Sequence, residues 1–158
     1  VTPRLDYGAA APGAMKAMKG LQAYINTTDL EPALLELVKL RASQINGCAY
    51  CVALHSHDAR ALGESEQRLY TLSVWRETPF YRERERAALE WTEALTLLAE
   101  THVPDAVYEA VRPHFSDKEL ADLTLAVVLI NGWNRFGVSF RDTPEQYEPE
   151  TLATAASG

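Results

Sequence analysis

The stretch at residues 116–140, SDKELADLTLAVVLINGWNRFGVSF, sets the fold class. Its middle, Ala126–Ile130, is apolar and β-branched enough to pass for a strand by propensity. Its beginning argues otherwise. Ser116 followed by Glu119 is a capping-box pattern, with serine at the N-cap and glutamate three residues on. The run behind it is also too long for an ordinary strand, so the stretch is expected as one long helix.

The rest of the chain shows the same helical signs. After Pro12-Gly13, an amphipathic stretch carries Met15, Met18, Leu21 or Gln22, Tyr24 and Ile25 on successive turns. Thr28 or Asp29 is placed to cap a second helix, Leu30 to Ile45, with Pro32 near its start and Asn46-Gly47 as its stop. This helix is apolar on most sides (Leu34, Leu35, Leu37, Val38, Leu40, Ile45), which marks it as buried, either centrally or in a subunit interface. A third helix starts at or near Cys48 and runs to Leu62-Gly63. Ser65 opens a fourth, ending around Trp75 before Pro79. RERERAALEWTEALTLLAE reads as a fifth, with Ala88, Trp91, Leu95 and Leu98 on one face, and Pro104 begins a short segment to Arg112. The fold class is all-α, a bundle of about six to seven helices. The chain is read as a single domain over 1–158, with its core at about 12–140 and a tail from Arg141 onward.

Composition narrows the function classes. The chain has 158 residues, 47% hydrophobic and 23% charged, an ordinary globular balance. A net charge of −7 argues against nucleic acid as partner, since such proteins usually carry a basic stripe. No apolar run approaches the roughly 18 residues of a membrane-spanning helix, and VTPRLDYGAAAPG has no signal-type apolar segment. A cytoplasmic protein is the default expectation. There, thiols are mostly kept reduced, and a disulfide is usually transient and catalytic or sensing.

The chemistry concentrates in NGCAYCVALHSH, Asn46 to His57, which holds both cysteines of the chain. A thioredoxin-type C-x2-C follows a strand in a βαβ unit, and no such alternation exists here. At a helix N-terminus, however, unpaired N–H groups and the helix dipole stabilise a thiolate on any fold. At about 100° per residue, Cys48, Cys51 and His55 fall within roughly 60° on one helical face. Two thiols so spaced can close a disulfide, and an imidazole one turn beyond Cys51 can exchange its proton. His57 lies on the opposite side and receives no role. Three other readings compete. The cysteines could be small buried apolar residues. Cys48, Cys51 and His55 could be zinc ligands, although no second ligand-bearing segment is evident. A permanent structural disulfide would close too small a loop to restrict the unfolded chain much.

These residues resemble a known family. Glu36, Cys48, Cys51 and His55 stand as E-x11-C-x2-C-x3-H within ELVKLRASQINGCAYCVALHSHDARALG. That pattern is similar to the signature of the AhpD-like alkylhydroperoxidase branch of the carboxymuconolactone decarboxylase superfamily. The resemblance extends to LINGWNRFGV and covers about residues 12 to 140. It implies an all-helical bundle that assembles into homo-oligomers, trimers or hexamers. It also implies a thiol-dependent peroxidase, with Cys51 peroxidatic, Cys48 resolving, His55 exchanging the thiol proton and Glu36 completing the relay. No cofactor beyond the redox-active Cys48–Cys51 pair and no metal is implied. The partners would be a hydroperoxide substrate and a lipoyl-bearing or other thiol reductant. Glu36 lies among Leu34, Leu35 and Leu37, and a carboxyl beside apolar surface is expected to have a raised pKa. One position departs from the pattern. The family's two-cysteine peroxidase has a histidine immediately before the second cysteine, where this chain has Tyr50, a poor proton shuttle at neutral pH but a usable hydrogen-bond donor.

Trp133, Asn134 and Arg135 are secondary candidates for the site or an interface. Trp133 reads first as core, and Arg135 as making an interface salt bridge or bonds to backbone carbonyls. Arg82 to Arg86 reads as a solvated helix start held by local ion pairs. Two further function classes remain open. A carboxymuconolactone-decarboxylase-type enzyme would leave both cysteines without a task. A non-enzymatic redox sensor would oxidise once, without turnover.

Overall fold

A computed structural model describes residues 1–144. It contains α1 (Tyr7–Ala10), α2 (Pro12–Ile25), α3 (Pro32–Asn46), α4 (Ala49–Ala61), α5 (Glu66–Thr71), α6 (Glu83–Thr96), α7 (Leu98–Thr101), α8 (Asp105–Val111) and α9 (Asp117–Phe140). Short 3-10 turns cover Leu72–Glu77 and Arg112–His114, and no strand occurs among the described residues. α1 and α7 are single turns, so the longer helices among the described residues number seven, within the expected bundle.

The 116–140 stretch is helical from Asp117 to Phe140. Ser116 caps α9, its Oγ accepting from Glu119 N–H at 3.2 Å, while Glu119 returns the bond to Ser116 N–H at 2.8 Å. Ala126, Val127, Leu129 and Ile130 are buried and Val128 is exposed. That is helical spacing rather than strand alternation.

α3 lies at the centre, packed against α4, α6 and α9. Its all-round apolarity has a local cause. Leu34, Leu35 and Val38 join one core cluster with Trp91, Phe115, Leu123 and Val127. Leu37 and Leu40 join another with Leu72, Trp75 and Leu89. The helix is sandwiched between two cores, and no subunit partner is needed to account for its apolar surface. Each fully buried leucine contributes about 1.5–3 kcal/mol by burial.

The start of α3 differs from expectation. Its N-cap is Glu31, whose side chain makes no capping bond, and Pro32 occupies the first turn. Thr28 Oγ1 instead donates to Ile25 O at 2.7 Å, closing the end of α2. Proline fixes the helical φ and has no N–H to cap, so the missing cap costs little. α5 also ends earlier than expected, at Thr71, and the chain reaches Glu77 through the 3-10 turn with a non-helical Val74. The ion pairs of the 82–86 run prove largely long-range. Arg84 reaches Glu31 at 3.0 Å and Glu119 at 2.8 Å, and Glu85 pairs with Arg68 at 2.7 Å.

Both ends of the described chain meet at the C-terminus of α9. Arg141 adopts the left-handed conformation, and Asp142 N–H donates to Gly137 O at 2.9 Å, a helix-closing bond. Arg4 N–H donates to Phe140 O at 2.9 Å, and the Tyr7 ring packs on Phe136 and Phe140. The expected tail is therefore folded at its beginning; residues 145–158 of that tail lie outside the described residues.

Candidate active site

α4 begins directly after a tight turn. Gly47 takes φ +68°, a conformation glycine adopts without steric cost, and this lets α4 fold back along α3. Cys48 is the N-cap of α4, its Sγ accepting from Cys51 N–H at 3.3 Å. The two sulfurs are bonded to each other, with their Cα atoms 5.3 Å apart.

The antiparallel return brings Glu36 of α3 opposite His55 of α4. Glu36 Oε2 lies 2.8 Å from His55 Nδ1, and Glu36 Oε1 accepts from Lys39 Nζ at 2.7 Å. The expected raised Glu36 pKa is not what this geometry gives. Burial alone pushes the carboxyl up, but the hydrogen bonds from His55 and Lys39, with their charges, outweigh it and hold the pKa below the usual carboxylate range. An ionised carboxylate only accepts, so Nδ1 carries the hydrogen and Nε2 is the nitrogen left for proton exchange.

Beside these groups lies one apolar cavity of about 270 Å³. Cys51, His55, Lys39 and Tyr50 line it, with walls from Leu54, Ala126, Leu129, Ile130 and Trp133. Cys48 does not. Both sulfur-bearing residues are deeply buried, Cys48 at 2% exposure and Cys51 at 5%, but only Cys51 opens onto the cavity. Tyr50 is 40% exposed on its rim, and its hydroxyl makes no hydrogen bond among the described residues. His57 points to solvent, 82% of its side chain exposed.

Trp133, expected first as core, does both: it packs against the core cluster and lines the cavity. Asn134 is buried beside the site. Its Oδ1 accepts from Asn46 Nδ2 at 2.9 Å and its Nδ2 donates to Ser43 Oγ at 3.0 Å, tying α9 to the end of α3. Arg135 is exposed and donates to Asn131 O at 2.9 Å, the backbone-carbonyl half of its expectation.

Among the polar residues lining the cavity, Tyr7, Gln22, Lys39 and Asp142 were not identified as site residues from the sequence. Tyr7 donates its hydroxyl hydrogen to Asp142 Oδ2. Burial, and next that bond to a carboxylate, push the Tyr7 hydroxyl well above the usual phenol range, so it stays a donor. The available signal was the pair Phe136 and Phe140, one turn apart at the end of α9, which needs an aromatic cover.

Gly137 allows α9 to approach the sulfurs. A Cβ there would sit 2.9 Å from Cys48 Sγ and 3.8 Å from Cys51 Sγ. Helix propensity favours Ala over Gly by about 1 kcal/mol. The short, disulfide-bonded sulfur has little room to yield, and such overpacking costs roughly 1–3 kcal/mol. Gly137→Ala is therefore expected to lower the stability of the oxidised protein by about 1 kcal/mol. Urea unfolding reads the sign, and a stabilised variant would show that the contact relaxes freely.

Comparison with known proteins places the chain in a family. The sequence matches the profile of the carboxymuconolactone decarboxylase family over residues 12–94, more than half of the chain. YdfG of Bacillus subtilis, an uncharacterised protein, is 41% identical over 139 residues, 88% of this chain and 95% of its own. YnjA of Escherichia coli, also uncharacterised, is 33% identical over 117 residues, 74% of this chain and 63% of its own. Among solved structures, ATU0492 of Agrobacterium tumefaciens superposes with a TM-score of 0.90 at 46% identity, covering 92% of this chain and all of that one. It is a protein of unknown function suggested to be an antioxidant defence protein, AhpD.

Proposed function

This chain belongs to the carboxymuconolactone decarboxylase family, among its AhpD-like members, and on that footing we propose that it is a thiol-dependent peroxidase reducing organic hydroperoxides through Cys51 and Cys48. The observation that carries the reading is the asymmetry of the pair. Cys51 opens with His55 onto an apolar cavity, and Cys48 is sealed behind it. The suggested antioxidant role of ATU0492 points the same way.

In the reduced protein, His55 Nε2 takes the Cys51 thiol proton while Nδ1–H stays bonded to Glu36. The thiolate attacks the terminal oxygen of the hydroperoxide, the O–O bond breaks, and the alkoxide leaves as alcohol with the proton held by His55. Cys51 is left as a sulfenic acid. The Cys48 thiol then attacks that sulfur, water leaves, and the disulfide forms. A dithiol reductant, a lipoyl group being one of suitable chemistry, returns two electrons and two protons. A cytoplasmic setting fits this cycle, because thiol reductants are maintained there. The walls of Leu54, Leu129, Ile130 and Trp133 suit the apolar body of an organic hydroperoxide.

The test mixes reduced, metal-free protein with one equivalent of cumene hydroperoxide, followed by free-thiol titration and intact mass. The expected result is rapid loss of both thiols and a mass lower by two hydrogens. With a dithiol present, repeated turnover is expected. Thiols that survive the peroxide overturn the proposal, and a single oxidation without turnover points to a redox sensor instead.

A further inference from the structure

We propose that Lys39, which lies outside the E-x11-C-x2-C-x3-H pattern, is a positioning residue of the thiol centre: its ammonium occupies Glu36 Oε1, so that Oε2 alone is left to fix the His55 ring. The inference rests on the reading of Cys51 as a reactive thiol.

Glu36 and Lys39 sit at i and i+3 on α3, with side chains only 10% and 12% exposed. Nζ lies 2.7 Å from Oε1, and His55 Nδ1 lies 2.8 Å from Oε2, so the carboxylate is held from both sides. Lys39 also occupies a joint in the molecule. It borders the Cys51 cavity on one side and, with Glu36, a second cleft on the other.

Lys39 supplies the positive charge held against Glu36 at this centre. One carboxylate lies close to it, and others line the two spaces. Asp58 of α4 has its ligand-type oxygen within 4.8 Å of those atoms of Glu36 and His55. Asp29 and Glu31 border the second cleft, and Asp142 borders the cavity beside Tyr7. Tyr50 brings a phenol, and α2 and α9 present uncharged side chains, Gln22, Ile25, Leu129 and Trp133 among them. Lys39 is the one lysine or arginine lining either space among the described residues.

Without that ammonium, the buried Glu36 has His55 alone against its desolvation and the nearby Asp58 carboxylate. It gains a proton more readily, Nδ1–H loses its ionised acceptor, and Nε2 becomes a weaker base for the Cys51 thiol. Lys39 thus acts on the thiol through two other residues, without touching the peroxide.

The test reads the thiol and does not depend on peroxide chemistry. In a Cys48→Ser background Cys51 is the sole thiol, and serine is itself a favourable N-cap for α4. The pH dependence of iodoacetamide alkylation then gives the Cys51 midpoint. Lys39→Met should raise that midpoint by about one unit, a roughly tenfold loss of thiolate below it. Lys39→Arg should largely restore it. In a Glu36→Gln background, Lys39→Met should add no further shift. An additive shift would mean that Lys39 acts directly as a charge, and an unmoved midpoint in the folded variant would make it merely structural; either overturns the inference. Circular dichroism checks folding, and Lys39→Gln, which keeps a hydrogen bond without the charge, serves if the methionine variant fails. Nitrogen-15 NMR of the unmodified protein supplies a variant-free arm: His55 should carry its hydrogen on Nδ1, and the opposite tautomer overturns the inference. A shifted midpoint in a protein that ignores peroxide would leave Lys39 in place and remove the peroxidase reading.

Discussion

Cys51→Ser is expected to abolish hydroperoxide consumption, by on the order of a thousandfold or more, because a serine hydroxyl offers no thiolate near neutral pH. Cys48→Ser should behave differently, consuming one equivalent and stalling as a sulfenic acid on Cys51, which dimedone traps. Two physical effects compete over which sulfur reacts first. At the N-cap of α4, Cys48 Sγ receives the Cys51 N–H, which favours its own thiolate. Access favours Cys51, which shares the cavity with His55, whereas Cys48 lies against Gly137 of α9. A thiolate with no path to peroxide gains nothing from a depressed pKa, so access should decide. The N-cap position instead suits Cys48 to the second step, where it must attack as a thiolate over a short distance. Dimedone on Cys48 in the Cys51→Ser protein would reverse the order.

Part of this centre is legible in the sequence because it is tied together by helical geometry, whereas Glu36, on the preceding helix, is marked by the family pattern. The positions of Cys48, Cys51 and His55 follow from one helix, and Gly47 after a long apolar helix signals the turn that folds α4 back on α3. The capping box at Ser116 is equally readable, since it is a local hydrogen-bond exchange written in residues three apart. Such features need no knowledge of tertiary contacts.

What stays hidden in the sequence depends on contacts between distant segments. Tyr7 and Asp142 are 135 residues apart in the chain and meet only because the N-terminal segment lies across the end of α9. Nothing in the residues near Tyr7 announces that meeting. The Glu36 pKa departs from expectation for a related reason. Its leucine neighbours in sequence argue desolvation, but its ionisation is decided by Lys39 one turn away and by His55 across the turn. The run at Arg82–Arg86 likewise suggests local pairing, while Arg84 reaches Glu119 of α9 and Glu85 reaches Arg68 of α5. Long side chains on a helix can choose partners that the sequence does not place beside them.

The largest loss of stability is expected from a residue outside the cavity, Glu93 on α6. Its carboxylate accepts from Arg41 Nε at 2.8 Å, from Trp75 Nε1 at 2.9 Å and from Arg76 Nη1, joining α3, α6 and the 3-10 turn. Burial pushes the Glu93 carboxyl up, but the hydrogen bonds from Arg76, Trp75 and Arg41 prevail and hold it below the usual range. Glu93→Ala strands a mostly buried guanidinium and a buried indole N–H, and breaking such an arrangement costs about 3–5 kcal/mol. Against a typical total of roughly 5–15 kcal/mol, that should lower Tm by about 10 °C. Glu93→Gln keeps an acceptor without the charge and should fall between. Because the folded pKa is depressed, this stability is present above the unfolded-state value and is lost as pH falls through the folded one. The gap between wild type and Glu93→Ala should therefore narrow once pH drops below about 4.3. A gap of the same size at pH 7 and in acid would assign the loss to packing rather than charge. Arg41 faces α6 while Glu36 and Lys39 face the cavity side of α3, so the folded Glu93→Ala protein should keep the Cys51 midpoint of the wild type. A midpoint that moved with Glu93 would mean that α3 transmits strain between its two cores, and the thiol centre would then depend on the whole helix rather than on its own face.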